Sequence, residues 1–192
     1  FDIQNFFTFS RNRYRWTSHA KLKDGGQAYP SWLALSMFNL HGTGDMLAVD
    51  AVQTPTVDLP AFKRRKAIDD APMVGCYATR KGDRLTLFVV SRKFPGFPNA
   101  GDEGFTPVTV ELPFNSCASV TLYRMAGDPT AHNLTSKEVD FEKVDLPANV
   151  FKKAFTLDAS TGADARGLPP ASTFVYVFSD TNTPKGKQVQ AV

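Results

Sequence analysis

The stretch RLTLFVVS, residues 84–91, is an almost unbroken run of β-branched, aromatic and other apolar side chains, and it follows the turn signal Lys81-Gly82-Asp83. Such a composition is typical of a β-strand. In residues 108–112, VTVEL, apolar and polar side chains alternate, as in a strand with one face against a core. Together the two stretches predict a two-layer antiparallel β-sandwich.

The rest of the chain after Gly44 consists of similar short runs separated by Pro, Gly, Asn and Asp. The strands predicted on this basis are residues 46–52, 73–80, 84–91, 106–112, 118–125, 150–157 and 172–179. We expect residues 94–105 to form an exposed loop, because this segment is rich in Pro and Gly. The sandwich is predicted to span residues 45–180, and residues 181–192 are predicted to form a polar C-terminal tail.

Residues 1–44 have a different character. The segment FDIQNFFTF, residues 1–9, predicts a strand buried on both faces, as in a parallel α/β sheet, and residues 10–27 predict a long polar loop. Tyr29-Pro30 predicts the start of a helix that ends near His41, before two glycines. A single parallel strand lacks a hydrogen-bonding partner, so we expect this strand, loop and helix to be the edge of a larger α/β domain.

Composition is that of a folded globular chain: 192 residues, of which 42% are hydrophobic and 21% charged. No apolar run approaches the roughly 20 residues that span a bilayer, so we expect no membrane partner.

The net charge is +3, and the basic cluster at residues 63–66 is followed by Asp69-Asp70. This pattern favours a solvated loop over a nucleic-acid-binding surface. The chain begins with Phe1 rather than Met, and we expect that a preceding segment has been removed.

Several chemistries have no support in the sequence. There is no Gly-rich phosphate-binding loop and no Gly-x-Ser-x-Gly nucleophile motif. The three histidines are scattered, so neither a metal nor another cofactor is predicted. Cys76 and Cys117 could form one disulfide or remain two separate thiols. The four glutamates do not form a recognisable acid/base pair, so no catalytic residue is predicted here; they are Glu103, Glu111, Glu138 and Glu142.

A polar and aromatic cluster does point to binding. Gln4 and Asn5 lie on the first predicted strand, and Arg13, Arg15 and Trp16 lie beyond its C-terminal end, where parallel α/β folds bind ligands. Sugar recognition requires both aromatic and polar side chains. An aromatic face packs on the C–H surface of the sugar ring, while amide and guanidinium groups form hydrogen bonds with its hydroxyls. The alternative is that Trp16 caps a core edge and the arginines are solvated.

The order of several motifs resembles the C-terminal region of family 51 glycoside hydrolases, the α-L-arabinofuranosidases, and their clan A relatives. The resemblance covers residues 2–178. The motifs that carry it are Tyr29-Pro30, HGTGDML at 41–47, QTPTVD at 53–58, APM at 71–73, LTLFVVSR at 85–92, GDPTAHN at 127–133 and LPPAS at 168–172. Residues 11–23 and 94–105 have no clear counterpart in the family.

The resemblance implies the last β/α unit of a TIM (β/α)8 barrel running into a jelly-roll β-sandwich. It also implies a retaining exo-glycosidase whose two catalytic glutamates precede Phe1, on an N-terminal barrel chain that is the partner of this one. Gln4 matches an amide that binds the sugar and Trp16 matches an aromatic residue of the following loop. The polar cluster itself adds Asn5, Arg13 and Arg15 as further candidate sugar-binding residues. A glycoside or polysaccharide substrate and an extracellular or periplasmic location are expected, and homo-oligomerisation of the assembled enzyme stays open.

Two other functions are compatible with the sequence. The sandwich could be a non-catalytic carbohydrate-binding module with Phe94, Phe97 and Phe105 as its sugar platform, or a domain that only stabilises the barrel. Asn133-Leu134-Thr135 also fits the N-glycosylation pattern, which matters only in a eukaryotic secretory setting.

Overall fold

One α-helix and twelve β-strands are found in the part of the chain that this computed structural model describes, namely residues 27–51, 53–64, 66–94, 104–128, 130–133, 136–179, 181 and 189–191. In chain order the elements are α1 (Pro30–His41), β1 (Asp45–Leu47), β2 (Val49–Ala51), β3 (Thr56–Leu59), β4 (Ile68–Pro72), β5 (Val74–Lys81), β6 (Arg84–Ser91), β7 (Thr109–Glu111), β8 (Ser119–Met125), β9 (Glu142–Leu146), β10 (Ala154–Thr156), β11 (Thr173–Ser179) and β12 (Val189–Ala191).

The strands form three sheets. The largest has six strands in the order β1-β5-β6-β11-β8-β9, the second has four in the order β10-β7-β12-β2, and β3 pairs with β4 in a separate hairpin. All neighbouring strands are antiparallel except β12 and β2, which run parallel. The prediction of a mainly β chain with antiparallel sheets is therefore confirmed.

The main core lies between the two larger sheets. Leu87 of β6 and Phe178 of β11 share one buried cluster with Val110 of β7 and Phe155 of β10, so both sheets contribute one apolar face. Phe151 packs edge-on against Phe155 and Phe178, with ring centroids 5.0 and 5.5 Å apart. Edge-to-face aromatic pairs of this kind add to the free energy gained from burying their surface. The alternating side chains of the strands therefore build the two-layer arrangement that their pattern predicts.

Helix α1 begins and ends where the sequence predicts. Tyr29 is extended and Pro30 takes the first helical position, where a missing N–H costs no hydrogen bond. At the other end the Gly42 N–H donates to Phe38 O at 2.7 Å. Gly44 then has a φ of +93°, and a Cβ there would lie 2.1 Å from the Arg80 carbonyl oxygen. Only glycine fits this close approach of the chain to β5.

Helix α1 lies on the outer face of the six-stranded sheet, opposite the main core. Met37 is fully buried in a second cluster with Phe88 of β6 and Val175 of β11. These two strand residues are paired across neighbouring strands, so the helix covers the centre of the sheet. The six-stranded sheet is thus covered on both faces, which explains why β6 and β11 are apolar along most of their length.

Several elements differ from the prediction. The hairpin β3–β4 and strand β9 were not predicted. The predicted polar tail contains β12, which pairs with both β2 and β7. Its alternating Val-Gln-Ala pattern is too short to stand out from the polar residues before it. The described residues of the basic cluster, Lys63, Arg64 and Lys66, are exposed as expected.

Candidate functional site

The five predicted sugar-binding residues lie outside the described residues; they are Gln4, Asn5, Arg13, Arg15 and Trp16. The described part of the chain that follows them most closely is the segment 27–29, which leads into α1. In the resemblance this segment joins the sugar-binding loop to the helix. Its contacts show how the sandwich holds the start of α1.

Asn133 ties the start of α1 to the sandwich. Its Nδ2 donates to Ala28 O at 2.7 Å and to Val139 O at 2.6 Å. Its Oδ1 accepts the backbone N–H groups of Glu138 and Val139 at 2.9 and 2.8 Å. The side chain is only 2% exposed, and it uses both amide protons and its carbonyl oxygen. Asn133 belongs to the GDPTAHN motif, and no sequence pattern indicates that it contacts the start of α1.

The contacts of Asn133 also bear on the glycosylation pattern at residues 133–135. Glycosylation attaches the sugar at the side-chain amide nitrogen. In Asn133 that atom is buried and donates to two carbonyl oxygens. In the folded chain the Asn133 amide nitrogen is therefore not accessible for glycosylation.

The segment before α1 also carries two buried polar atoms that have no hydrogen-bond partner, Gln27 Oε1 and Tyr29 OH. Tyr29 is 2% exposed, so its hydroxyl has lost water without gaining a partner among the described residues. An unpaired buried polar group costs about 1–3 kcal/mol. Three buried atoms of the sandwich also lack a partner there, namely Thr79 Oγ1, Arg84 Nε and Thr106 Oγ1.

The C-terminal end of α1 is held by an aromatic contact. His41 stacks on Tyr123 of β8, with ring centroids 3.9 Å apart, and Arg84 Nη2 lies 3.4 Å from His41 Nδ1. Burial, and then the positive charge of Arg84, lower the pKa of His41 below its usual value. The neutral imidazole is therefore the form that fits this contact.

The glutamates of the described residues serve local structure. Glu111 pairs with Lys153, Glu142 accepts from Arg124 Nε at 2.8 Å, and Glu138 accepts the backbone N–H of His132. Glu103 lies outside the described residues. Each of these three glutamates is thus engaged by a basic side chain or a backbone N–H, and none of the three forms a pair with another of them such as cleaves a glycosidic bond.

Three aspartates of the described residues have a pKa below the ordinary value, namely Asp128, Asp140 and Asp158. The backbone N–H of Thr130 lowers the pKa of Asp128, and hydrogen bonds from Lys137 and Ser160 lower those of Asp140 and Asp158. A general acid needs a raised pKa to hold its proton near neutral pH. These aspartates are therefore not suited to that role.

A groove of about 440 Å³ lies beside the β3–β4 hairpin and includes one of the phenylalanines proposed for a sugar platform. Phe94, which is 45% exposed, lines it together with the apolar side chains of Val57, Ile68 and Met73. Arg92, also on the groove, donates to the Tyr77 hydroxyl at 2.9 Å. The groove thus offers one aromatic ring and one guanidinium group.

The other two phenylalanines of the predicted platform do not add to this groove in the described structure. Arg166 lies over the ring of Phe105, with its guanidinium carbon 3.7 Å from the ring centroid, so one face of that ring is covered. Phe97 lies outside the described residues. The platform is therefore represented by Phe94 alone in this part of the chain.

Metal and thiol chemistry find no site in the described ranges. No group of three or more His, Cys, Asp or Glu side chains there is arranged to hold a metal ion. Cys76 and Cys117 are two free thiols. Burial raises the pKa of Cys76 to about 11 and also raises that of Cys117, so both are mostly protonated near neutral pH.

No helix among the described residues is long and apolar enough to cross a membrane.

Comparison with known protein families and with curated proteins found no match. Solved structures do match. An arabinofuranosidase aligns with 85% of this chain at 16% identity and a TM-score of 0.61. The α-L-arabinofuranosidase of Thermotoga maritima, in complex with arabinose, aligns with 85% at 18% identity and a TM-score of 0.59. The thermostable GH51 α-L-arabinofuranosidase of Thermotoga petrophila RKU-1 aligns with 84% at 16% identity and a TM-score of 0.57.

The alignments cover only 31–32% of the length of those three structures. At 16–18% identity they establish the fold and not the activity. The resemblance predicted from the sequence motifs is confirmed at this level. The chain therefore shares its fold with about one third of the length of each of these three arabinofuranosidases.

Proposed function

We propose that this chain is the C-terminal part of a retaining exo-glycoside hydrolase that resembles the α-L-arabinofuranosidases. Its first 44 residues are the last β/α unit of a TIM barrel and the following sandwich is of the jelly-roll type. The two catalytic glutamates lie on an N-terminal barrel chain, which is the partner of this one, and this chain alone is inactive.

The observation that carries the proposal is the extent of the structural match. The alignment with an arabinofuranosidase takes in 85% of this chain but only 32% of that protein. A further observation supports it. Helix α1, expected to be the last barrel helix, lies against the sandwich.

The role of this chain in catalysis is to position the sugar. Gln4 forms a hydrogen bond with a sugar hydroxyl, and Trp16 packs on an apolar face of the sugar ring. Asn5, Arg13 and Arg15 contribute further hydrogen bonds. Groups that hold the sugar in its reactive geometry lower the activation barrier without reacting themselves. The substrate is an arabinofuranoside or a polysaccharide that carries one, and an extracellular or periplasmic enzyme would meet it.

The test is an assay of the complete gene product that contains this chain. We expect it to hydrolyse an aryl α-L-arabinofuranoside, and we expect residues 1–192 alone to hydrolyse none. Gln4→Ala in the complete protein should lower kcat/KM by about 100-fold, since loss of one transition-state hydrogen bond has about that effect. Gln53→Ala is the matched control, because this exposed glutamine lies in the sandwich part of the chain.

The outcomes separate the parts of the proposal. An unchanged kcat/KM in Gln4→Ala removes this residue from the site. Failure of the complete protein to hydrolyse any glycoside overturns the function. Hydrolysis by residues 1–192 alone shows that the catalytic groups were assigned to the wrong part of the protein.

A second function, a carbohydrate-binding sandwich, is favoured by one observation, the exposure of Phe94 in a groove that also contains Arg92. It predicts retention of residues 1–192 by arabinan in affinity electrophoresis. Phe94→Ala should abolish the retention, whereas Phe62→Ala, which removes a more exposed ring between β3 and β4, should not.

A further inference from the structure

We propose that the groove beside the β3–β4 hairpin is a binding site for a small aromatic carboxylate, that is, a molecule with one aromatic ring and one carboxylate group. The groove has a volume of about 440 Å³, which is within the range of small-molecule sites in proteins. The residues that carry this inference all lie in the sandwich part of the chain, so it does not depend on the proposed glycosidase function.

The walls of the groove are apolar. Val57 of β3 and Ile68 of β4 line it, together with Met73 before β5 and Phe94 after β6. Val57 and Met73 are only 3% and 5% exposed, whereas Ile68 and Phe94 are each 45% exposed. An apolar ligand in the groove would therefore remove two exposed apolar side chains from water, which favours its binding.

The backbone holds the groove in shape. The Met73 N–H donates to Pro55 O at 2.8 Å, and the Arg92 N–H donates to Met73 O at 2.7 Å. These bonds join the chain just before β3, the link between β4 and β5, and the chain just after β6. The groove is therefore formed before a ligand arrives, as is usual for small-molecule sites.

Arg92 supplies the one charged side chain that lines the groove in the described ranges. Its Nη2 donates to the Tyr77 hydroxyl at 2.9 Å, and its Nη1 donates to Pro72 O at 3.4 Å. These bonds orient the guanidinium group and leave it further donors, because it has five N–H bonds. Arg92 forms no ion pair with an acidic side chain of the described structure. A guanidinium group placed in this way fits a carboxylate, which accepts two parallel N–H bonds from it.

The charges around the groove also favour an anion. The loop that joins β3 to β4 carries the basic cluster at residues 63–66, and the described residues of that cluster are exposed. Asp58 alternates with two groove residues on β3, so its side chain points to the opposite face of the strand. Its carboxylate accepts the backbone N–H of Asp70 at 3.0 Å. The groove itself is therefore left with the positive charge of Arg92.

An aromatic carboxylate fits this groove better than a sugar does. The hydroxyls of a sugar need several donors and acceptors, but the described residues of the groove offer a single polar side chain. An aromatic ring packs on Phe94 and the apolar walls, while its carboxylate binds Arg92. This ligand differs from that of the carbohydrate-binding function, in which Phe94 carries a sugar ring.

The experiment titrates the complete protein that contains this chain with trans-cinnamate and with cinnamamide, followed by ligand-observed NMR. The two probes have the same ring and nearly the same size, but only cinnamate is negatively charged. We expect cinnamate to bind with a Kd of about 1 mM or lower, a range open to ligands of this size. Cinnamamide should bind at least about 10-fold more weakly, because a hydrogen bond between two charged groups is stronger than one to a neutral amide.

Variants locate the binding. Arg92→Met removes the charge and should weaken cinnamate by about 10-fold or more, while cinnamamide changes by less than about twofold. Phe94→Ala should weaken both probes by a similar factor, since it removes the ring on which both pack. Tyr77→Phe removes the hydroxyl that orients the guanidinium group and should weaken cinnamate alone, by less than Arg92→Met does. The matched control is Lys152→Met, which removes an exposed positive charge before β10 and should leave both Kd values within about twofold.

Several results overturn the proposal. Equal affinity for cinnamate and cinnamamide removes the role of charge, and this comparison uses the unmodified protein, so it stands even if Arg92→Met fails to fold. Absence of saturable cinnamate binding removes the site. An equal loss in Lys152→Met and Arg92→Met makes the attraction a general effect of positive charge. Binding of an arabino-oligosaccharide that Phe94→Ala abolishes, without binding of cinnamate, assigns the groove to carbohydrate instead. No glycosidase assay enters these outcomes, so the failure of the proposed function would leave them unchanged.

Discussion

The imidazole of His41 stacks on the phenol ring of Tyr123, with 3.9 Å between ring centroids and 27° between ring planes. His41 is the last residue of α1, and Tyr123 lies on the outer face of the six-stranded sheet. Arg84 lies beside His41 and makes a positive charge on the imidazole unfavourable. The contact between the end of the helix and the sheet is therefore more favourable when His41 is neutral.

We predict that acidification weakens the fold through His41. Its pKa is lowered in the folded state, so the unfolded chain takes up the proton first as the pH falls. The contribution of His41 to the stability of the fold is complete above a pH of about 6.5, the pKa of an unfolded histidine. It is lost as the pH falls through the lower pKa that His41 has in the folded chain. The melting temperature should drop between pH 7.5 and 5.5.

His41→Phe tests this prediction, because phenylalanine retains a ring for stacking and cannot be protonated. Its melting temperature should depend less on pH over the same range. Tyr123→Phe is the control, since it keeps both the ring and His41 and should keep the full pH dependence. An equal pH dependence in His41→Phe and the unmodified chain would contradict the assignment to His41.

The apolar surface of α1 leads to a second prediction. Leu40 is 60% exposed and Phe38 43% exposed, although the helix is apolar around most of its circumference. A helix with apolar residues on all sides is normally buried on all sides. We expect residues 1–192 without the barrel to self-associate through this surface, and Leu40→Lys to reduce the association, as measured by sedimentation velocity.

Phe62→Lys is the comparison for Leu40→Lys. Phe62 is 64% exposed, as much as Leu40, but lies next to the hairpin turn rather than on the helix. If general hydrophobicity drives association, the two substitutions will reduce it equally. A larger effect of Leu40→Lys is expected if the outer surface of α1 is the face that meets the barrel.

Elements whose local sequence is distinctive could be predicted. Strand β6 coincides with the predicted run at residues 84–91, because its side chains are apolar on both faces. Helix α1 has a proline at its first position and glycines after its last. In contrast, β4 contains two aspartates and a proline, so that its residues suggest a turn. Its extended form depends on pairing with β3, which a local pattern does not encode.

The candidate site was less accessible to sequence reasoning for a similar reason. The GDPTAHN motif contributes to the family resemblance, but its asparagine acts on a residue 105 positions earlier in the chain. Nothing in the spacing of Asn133 and Ala28 indicates that the loop and the helix start meet. That contact exists only once β8 and β11 have paired and α1 has packed on their outer face. Long-range contacts of this kind follow from the fold rather than from the local sequence.

The third prediction concerns β12, which lies within the segment expected to be a tail. This strand is the only link between β2 and β7 in the order of the four-stranded sheet as described. Removing it should leave β2 without a partner in that sheet and expose one edge of β7. A chain ending at residue 181 should therefore melt at a lower temperature than the full chain, by several degrees if the loss is about 1–2 kcal/mol.

Two further truncated chains separate the contribution of β12 to the melting temperature from that of the neighbouring residues. A chain ending at residue 191 keeps the whole strand and should melt with the full chain. A chain ending at residue 180 also removes Thr181, which is buried and donates from its hydroxyl and its N–H to Asp83 O, so it should melt lower still. Equal melting of the chains ending at 181 and 192 would mean that β12 does not hold β2 against β7, and that the segment is a tail as its composition suggests.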